Sequence, residues 1–95
     1  MLVHVVMFRF KNRTQEQAEA LKARLMTLPP VIDQIKSYEI GINIVESARA
    51  YDVVLISKFD DMESMQEYQV HPDHQAVLAY VREVTDSIVA ADYYE

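Results

Sequence analysis

The 95-residue chain has no cysteine, no tryptophan and a single glycine, Gly41. Without cysteine there is no disulfide framework, no thiolate nucleophile and no cysteine-ligated zinc. That usage fits a reducing compartment. With one glycine there is no Gly-rich phosphate cradle, so nucleotide binding through the backbone is not expected. A Gly-x-Ser-x-Gly elbow and a His-Glu-x-x-His helix are absent too. The five serines, at positions 37, 47, 57, 64 and 87, carry no local nucleophile signature. Positive charge is scarce: nine Lys and Arg against fifteen Asp and Glu leave a net charge of −6. Nucleic-acid phosphates and anionic membranes are therefore poor partners. Met1 to Phe10 is apolar, but it is too short to span a bilayer and lacks the basic region and small-residue cleavage site of a leader. It reads as a strand of the mature, cytoplasmic protein.

What is present is apolar residue, 51% of the chain, in ordered patterns. Residues 1–95 predict one domain. Leu2 to Phe10 is a buried strand with His4, Val6, Phe8 and Phe10 on one face and Val3, Val5, Met7 and Arg9 on the other. Thr14 with Gln17 forms a capping-box pattern. Ala18, Leu21, Leu25 and Leu28 then recur at helical spacing until Pro29-Pro30 ends the run. Val31 to Ser37 is ambiguous. Tyr38 to Val45 alternates around Ile40, Ile42 and Ile44 as a strand, and Gly41 inside it suggests a bulge or a close backbone approach. Asp52 to Phe59 is a third strand. Asp60 or Asp61 caps a helix bearing Met62, Met65 and Tyr68 on one face. Pro72 interrupts it and suits the first position of a new helix, with His74, Val77, Leu78 and Val81 on one stripe. Thr85 to Tyr94 is a fourth strand. The order β-α-β-β-α-β, its second helical segment broken at Pro72, is the ferredoxin-like α+β arrangement with an antiparallel sheet. The sheet face away from the helices carries Val3, Val5, Met7, Val54 and Ile56, or their partners of opposite parity. That face is too apolar to stay wet and predicts a homodimer packed through it.

The candidate chemistry gathers around Tyr68-Gln-Val-His71-Pro72-Asp-His74. His71 and His74 have the spacing of a metal pair, but Pro72 sets His71 outside the following helix. The two should diverge, and no metal or cofactor is expected. His71 reads as a helix cap near solvent. His74 points inward, as a core histidine satisfied by hydrogen bonds or as a catalytic base. Tyr68 shares the inward stripe of the preceding turn, and His4 lies on the strand face with Val6 and Phe8. If that face meets the helices, His4, Tyr68 and His74 enter one apolar space, suited to a hydrophobic small-molecule ligand. Histidine can take a proton near neutral pH and tyrosine can donate to a developing oxyanion. Asp60, Asp61, Glu16, Glu19 and Glu63 read as caps and solvated surface.

His4-Val5-Val6-Met7-Phe8-Arg9-Phe10-Lys11, Tyr51-Asp52, the Tyr68–His74 segment and Asp92-Tyr93 together resemble the stress-responsive A/B barrel domain (Dabb) family over nearly the whole chain. Tyr-x-x-His-Pro-x-His is the most specific part. The resemblance implies a dimeric α+β barrel of two ferredoxin-like subunits. Many members have no established activity, and some are linked to stress stability. A plant polyketide cyclase of this fold performs an intramolecular aldol condensation between sheet and helices. Its acid/base tyrosine and histidine fall on Tyr68 and His74, and its first-strand histidine on His4. A further cavity histidine of that enzyme falls near Val53, which is apolar here, so the same substrate is not implied. Divalent metal has been associated with some relatives, but this chain offers no carboxylate cluster. Three readings stand together. One is a cyclase, lyase or isomerase acting on a hydrophobic carbonyl compound, with His74 as base, Tyr68 as donor and His4 as positioning group. The second is a dimer that binds an apolar small molecule without converting it. The third is a stress-stability protein.

Overall fold

The computed structural model describes residues 1–95 and is built around the first strand. β1, Leu2–Phe10, pairs antiparallel with β3, Val53–Phe59, on one side and β4, Thr85–Tyr94, on the other. β2, Ser37–Ile42, adds to the free edge of β3, giving the order β2-β3-β1-β4. Three helices intervene: α1 is Gln15–Leu25, α2 is Met62–Val70 and α3 is Pro72–Val84. This is the ferredoxin-like α+β fold with its second helical segment in two pieces.

Register sorts the strand residues onto two faces, because side chains alternate with a period of two. His4 opposes Ser57 and Asp92, Val6 opposes Leu55 and Ala90, and Phe8 opposes Val53 and Ile88. This face packs on the helices: Val6, Phe8, Phe10 and Leu55 share a core with Ala18, Leu21 and Leu25 of α1 and Val81 of α3. A second cluster joins Leu2, Phe59, Met65 and Tyr68 to Leu28 and Ile32. On the opposite face, Val5 lies between Ile56 and Ala91, and Met7 between Val54 and Val89. No helix covers these: Met7 and Val89 remain 39% and 38% exposed.

Local chemistry explains the boundaries. Thr14 accepts from the Gln17 backbone N–H at 3.1 Å, the first half of the expected cap. α1 stops at Leu25, a turn before the sequence pattern ends. Pro29 disfavours helical geometry at Leu28, which is instead reached through tight turns and stays buried. β2 stops at Ile42 rather than Val45, and Ile44 is almost fully exposed. Asp52, at the far end of that connection, bonds both sides: its carbonyl accepts from Asn43 N at 2.9 Å, its N–H donates to Phe8 O at 2.8 Å and its carboxylate accepts from Phe10 N at 2.9 Å. β3 accordingly begins at Val53. Gly41 is explained by close approach: a Cβ there would sit 3.1 Å from Val54 Cγ1. The β2–β3 register runs unbroken, so Gly41 marks no bulge; the sheet's irregularity lies between Arg9 and Phe10, against β4.

Leu21 is fully buried in the larger core. Leu21→Ala should therefore cost about 2–5 kcal/mol in urea denaturation, the range for a leucine cavity that cannot fully collapse. A loss below about 1 kcal/mol would contradict this packing.

Candidate functional site

The helix break creates the site. Asp61 caps α2 by accepting from Ser64 N at 2.8 Å. α2 ends where Pro72 supplies no N–H for the Tyr68 carbonyl. The His71 N–H takes that carbonyl instead, at 3.2 Å. His71 is extended (φ −59°, ψ 136°), and its Nδ1 accepts from Asp73 N at 3.1 Å, capping α3. Asp73 N is thereby diverted from the Gln69 carbonyl, its helical acceptor had α2 continued. Two side chains of the next helix fill the gap: His74 Nδ1 donates to Gln69 O at 3.0 Å, and Gln75 Nε2 at 2.5 Å.

His74 is thus held in one tautomer. A carbonyl can only accept, so Nδ1 carries the proton and Nε2 keeps its lone pair. The ring packs on Tyr68 with centroids 4.4 Å apart, and Tyr68 packs on Phe59 at 4.9 Å. Burial holds the His74 pKa below its ordinary value, against the opposing pull of the Gln69 carbonyl; the nearby His4 and His71 lower it further. Tyr68 is 1% exposed, and burial pushes its hydroxyl up to about 12. Its oxygen lies 2.9 Å from the hydroxyl of Tyr38 on β2. On β1, His4 Nδ1 hydrogen-bonds the Asp92 carboxylate across the β1–β4 pairing, and its backbone carbonyl accepts from Ser57 Oγ at 3.3 Å.

A cavity of about 270 Å³ lies between the sheet and the helices. His4, Tyr68 and His74 all line it, and its walls are otherwise mostly apolar: Val6, Phe8 and Leu55 from the sheet, Val77, Leu78 and Val81 from α3. Neither imidazole Nε2 has a protein partner, yet no buried side-chain polar atom is left unsatisfied, so both reach open space. The arrangement provides an unprotonated base, a phenol and a carboxylate-oriented imidazole at one polar patch of an apolar chamber. A larger, open hollow of about 780 Å³ lies between Arg13, Ile44 and Glu46. It holds none of the histidines, and Arg13 there is already committed to Asp52 at 3.1 Å.

The structure thus brings together the three residues singled out by sequence and leaves His71 apart, at the helix cap. No cluster of three or more imidazole or carboxylate groups has the geometry to hold a metal ion, and no helix is long and apolar enough to cross a membrane. Sequence reasoning missed the contributions of Asp92 and Tyr38. Asp92 interrupts an apolar strand, which is a signal, but its partner depends on the β1–β4 register. Tyr38 shares parity with Ile40 and Ile42, which placed it inward without indicating Tyr68.

Comparison with known proteins agrees with this architecture. The model of the stress-responsive A/B barrel domain family, Dabb, matches residues 2–95. An uncharacterised protein of Streptomyces coelicolor is 30% identical over 96 residues, covering 98% of each chain. A dimeric ferredoxin-like protein of unknown function from Thermobifida fusca is 29% identical, with a TM-score of 0.86 over 99% of this chain and 90% of its own. A hydroxynitrile lyase from Passiflora edulis has the same fold, with a TM-score of 0.83 at 18% identity over 97% of this chain and 90% of its own.

The lowered His74 pKa has a defined sign. Between its folded value and the unfolded value near 6.5, the unfolded chain binds the proton more readily. Stability from this residue is full above about pH 6.5 and is lost as pH falls through the lower folded value. An NMR titration should give His74 a midpoint below 6.5. His74→Gln should narrow the difference in urea midpoint between about pH 7.5 and about pH 5. A midpoint above 6.5 would contradict the buried, neutral imidazole.

Proposed function

The chain belongs to the stress-responsive A/B barrel domain family, and on that premise we propose that it is a small homodimer whose sheet–helix cavity performs Tyr-His acid/base chemistry on a hydrophobic carbonyl compound, as a cyclase, lyase or isomerase. One observation carries this reading: His4, Tyr68 and His74, from three different elements, converge on a single chamber with mostly apolar walls. Apolar walls with few convergent polar groups are the usual form of a small-molecule site. His74 Nε2, unprotonated near neutral pH, takes the proton from the carbon next to the carbonyl. The C–H electron pair becomes the enolate π bond, and the carbonyl π pair moves onto oxygen. Tyr68 stabilises that oxyanion by donating a hydrogen bond. The imidazolium returns its proton to another carbon in an isomerisation, or to the new alkoxide after carbon–carbon bond formation. His4, oriented by Asp92, positions the compound. The hydroxynitrile lyase of the same fold indicates that this scaffold can host catalysis.

A non-catalytic reading, as a binding or stress-stability dimer, is favoured by a different observation. Tyr68 is already hydrogen-bonded to Tyr38, and no buried polar side-chain atom lacks a partner. Deuterium exchange at the α-carbon of an alkyl β-diketone separates the two. The catalytic reading expects the protein to accelerate exchange well above free imidazole. His74→Ala should lower the rate about 10²–10⁴-fold, and Tyr68→Phe by about 10²-fold, with both variants folded. No acceleration by the wild-type protein across a chain-length series of such diketones would favour the non-catalytic reading.

The homodimer is proposed to form through the helix-free sheet face, where Val5, Met7, Val54, Ile56, Val89 and Ala91 adjoin. Light scattering should give twice the 11.0 kDa chain mass. Met7→Glu, which places a charge in the centre of that face, should give the single-chain mass. A Met7→Glu variant that stays dimeric would locate the interface elsewhere.

A further inference from the structure

Tyr38 plays no part in the chemistry described so far. It stands on β2, half-buried, and it does not line the cavity. Its ring meets Tyr68 edge-on, with centroids 6.3 Å apart and planes at 68°, and the two hydroxyl oxygens are 2.9 Å apart. No other side chain or backbone group bonds the Tyr38 hydroxyl. Its cross-strand neighbour, Ser57, already donates to the His4 carbonyl.

A hydroxyl pair can be oriented either way, and here the surroundings choose. Tyr68 borders the cavity, where a bound compound can accept its proton. Tyr38 has only the Tyr68 oxygen as a protein acceptor. If Tyr68 donated to Tyr38, the Tyr38 proton would have no protein acceptor and the cavity would face an oxygen lone pair. With Tyr38 donating, both protons are used once the cavity is filled. Burial raises the Tyr38 hydroxyl further above its ordinary value than it raises Tyr68, and the hydrogen bond lowers Tyr68. Tyr68 is therefore the more acidic hydroxyl of the two, the one better able to donate to an acceptor in the cavity.

We propose that Tyr38 is a positioning residue: its hydroxyl donates to the Tyr68 oxygen and so turns the Tyr68 proton into the cavity, toward an anionic or carbonyl oxygen on the bound molecule. This deepens the acid/base reading above and rests on the same cavity. Hydrogen bonds in such a chain polarise one another, so the Tyr68 proton becomes a better donor as negative charge grows on the acceptor. Tyr38 thereby sets which head group the cavity prefers: an oxyanion or enolisable carbonyl rather than an apolar group of the same shape.

Two probes that share a nitrophenyl frame and differ in one oxyanion test this without requiring turnover. para-Nitrophenolate presents an oxyanion whose ionised fraction is read by absorbance, and nitrobenzene presents none. Tyr38→Phe should weaken para-nitrophenolate binding about tenfold, the scale of one hydrogen bond to a charged group. Nitrobenzene affinity should be unchanged. In a Tyr68→Phe background the same substitution should cost nothing further, because the two hydroxyls act as one unit. Equal losses for both probes would show that Tyr38 only supports packing. Independent losses in the double variant would show that it does not act through Tyr68. Either result overturns the proposal, as does a wild-type protein that binds nitrobenzene and para-nitrophenolate alike, or neither. Absence of diketone exchange alongside the predicted binding pattern would remove the catalytic reading and leave the positioning role standing.

Discussion

Alternation along β1 is the constraint on which the rest of the molecule depends. A central strand paired on both sides can vary only by which face each side chain takes, and here both faces are apolar. Leu2, Val6, Phe8 and Phe10 close the core beneath the helices, and His4 joins them in the same register. Val5 and Met7 look the other way, onto a face no helix covers. A shift of one residue would exchange the two sets, moving His4 out of the cavity and Met7 into the core, so register and site are specified together. The Thermobifida fusca protein of the same fold is dimeric, and an apolar sheet face of this kind is the sort of surface that partners cover.

The second constraint is Pro72. A continuous helix would have used the carbonyls of Tyr68 and Gln69 internally. Proline has no N–H, so the His71 N–H takes the Tyr68 carbonyl; His71 also takes the Asp73 N–H as a cap, which frees the Gln69 carbonyl. That carbonyl fixes His74 Nδ1 and leaves Nε2 unprotonated, in a residue that lines the cavity. The break that shortens the helix therefore also selects the His74 tautomer, with the proton on Nδ1. The same turn stacks His74 against Tyr68, so imidazole and phenol are held by backbone geometry.

Much of this was legible in residues. Period-two and period-3.6 patterns, the Thr14 and Asp61 caps and the Pro72 break located the four strands and three helices within a few positions. The errors came where local pattern met a non-local demand. Ile44 continued the alternation of β2, but the pairing with β3 ends at Ile42 and Val53, followed by one last bond from Asn43 N to Asp52 O. Leu28 continued the helical stripe, but the following prolines released it into turns. His4, Tyr68 and His74 were recognisable as inward-facing polar residues from parity and helical phase alone.

The sequence by itself determined the fold class, the two-faced central strand, the helix break and the identity of three polar residues turned toward the interior. These depend on interactions within a few residues, or on apolar periodicity, which a chain carries wherever it folds. Only the tertiary structure decided that the three enclose one chamber of about 270 Å³, that Asp92 holds His4 and that Tyr38 backs Tyr68. Asp92 lies 88 positions from His4, and Tyr38 lies 30 from Tyr68. Contacts at that separation follow from strand order and register, which no local pattern encodes.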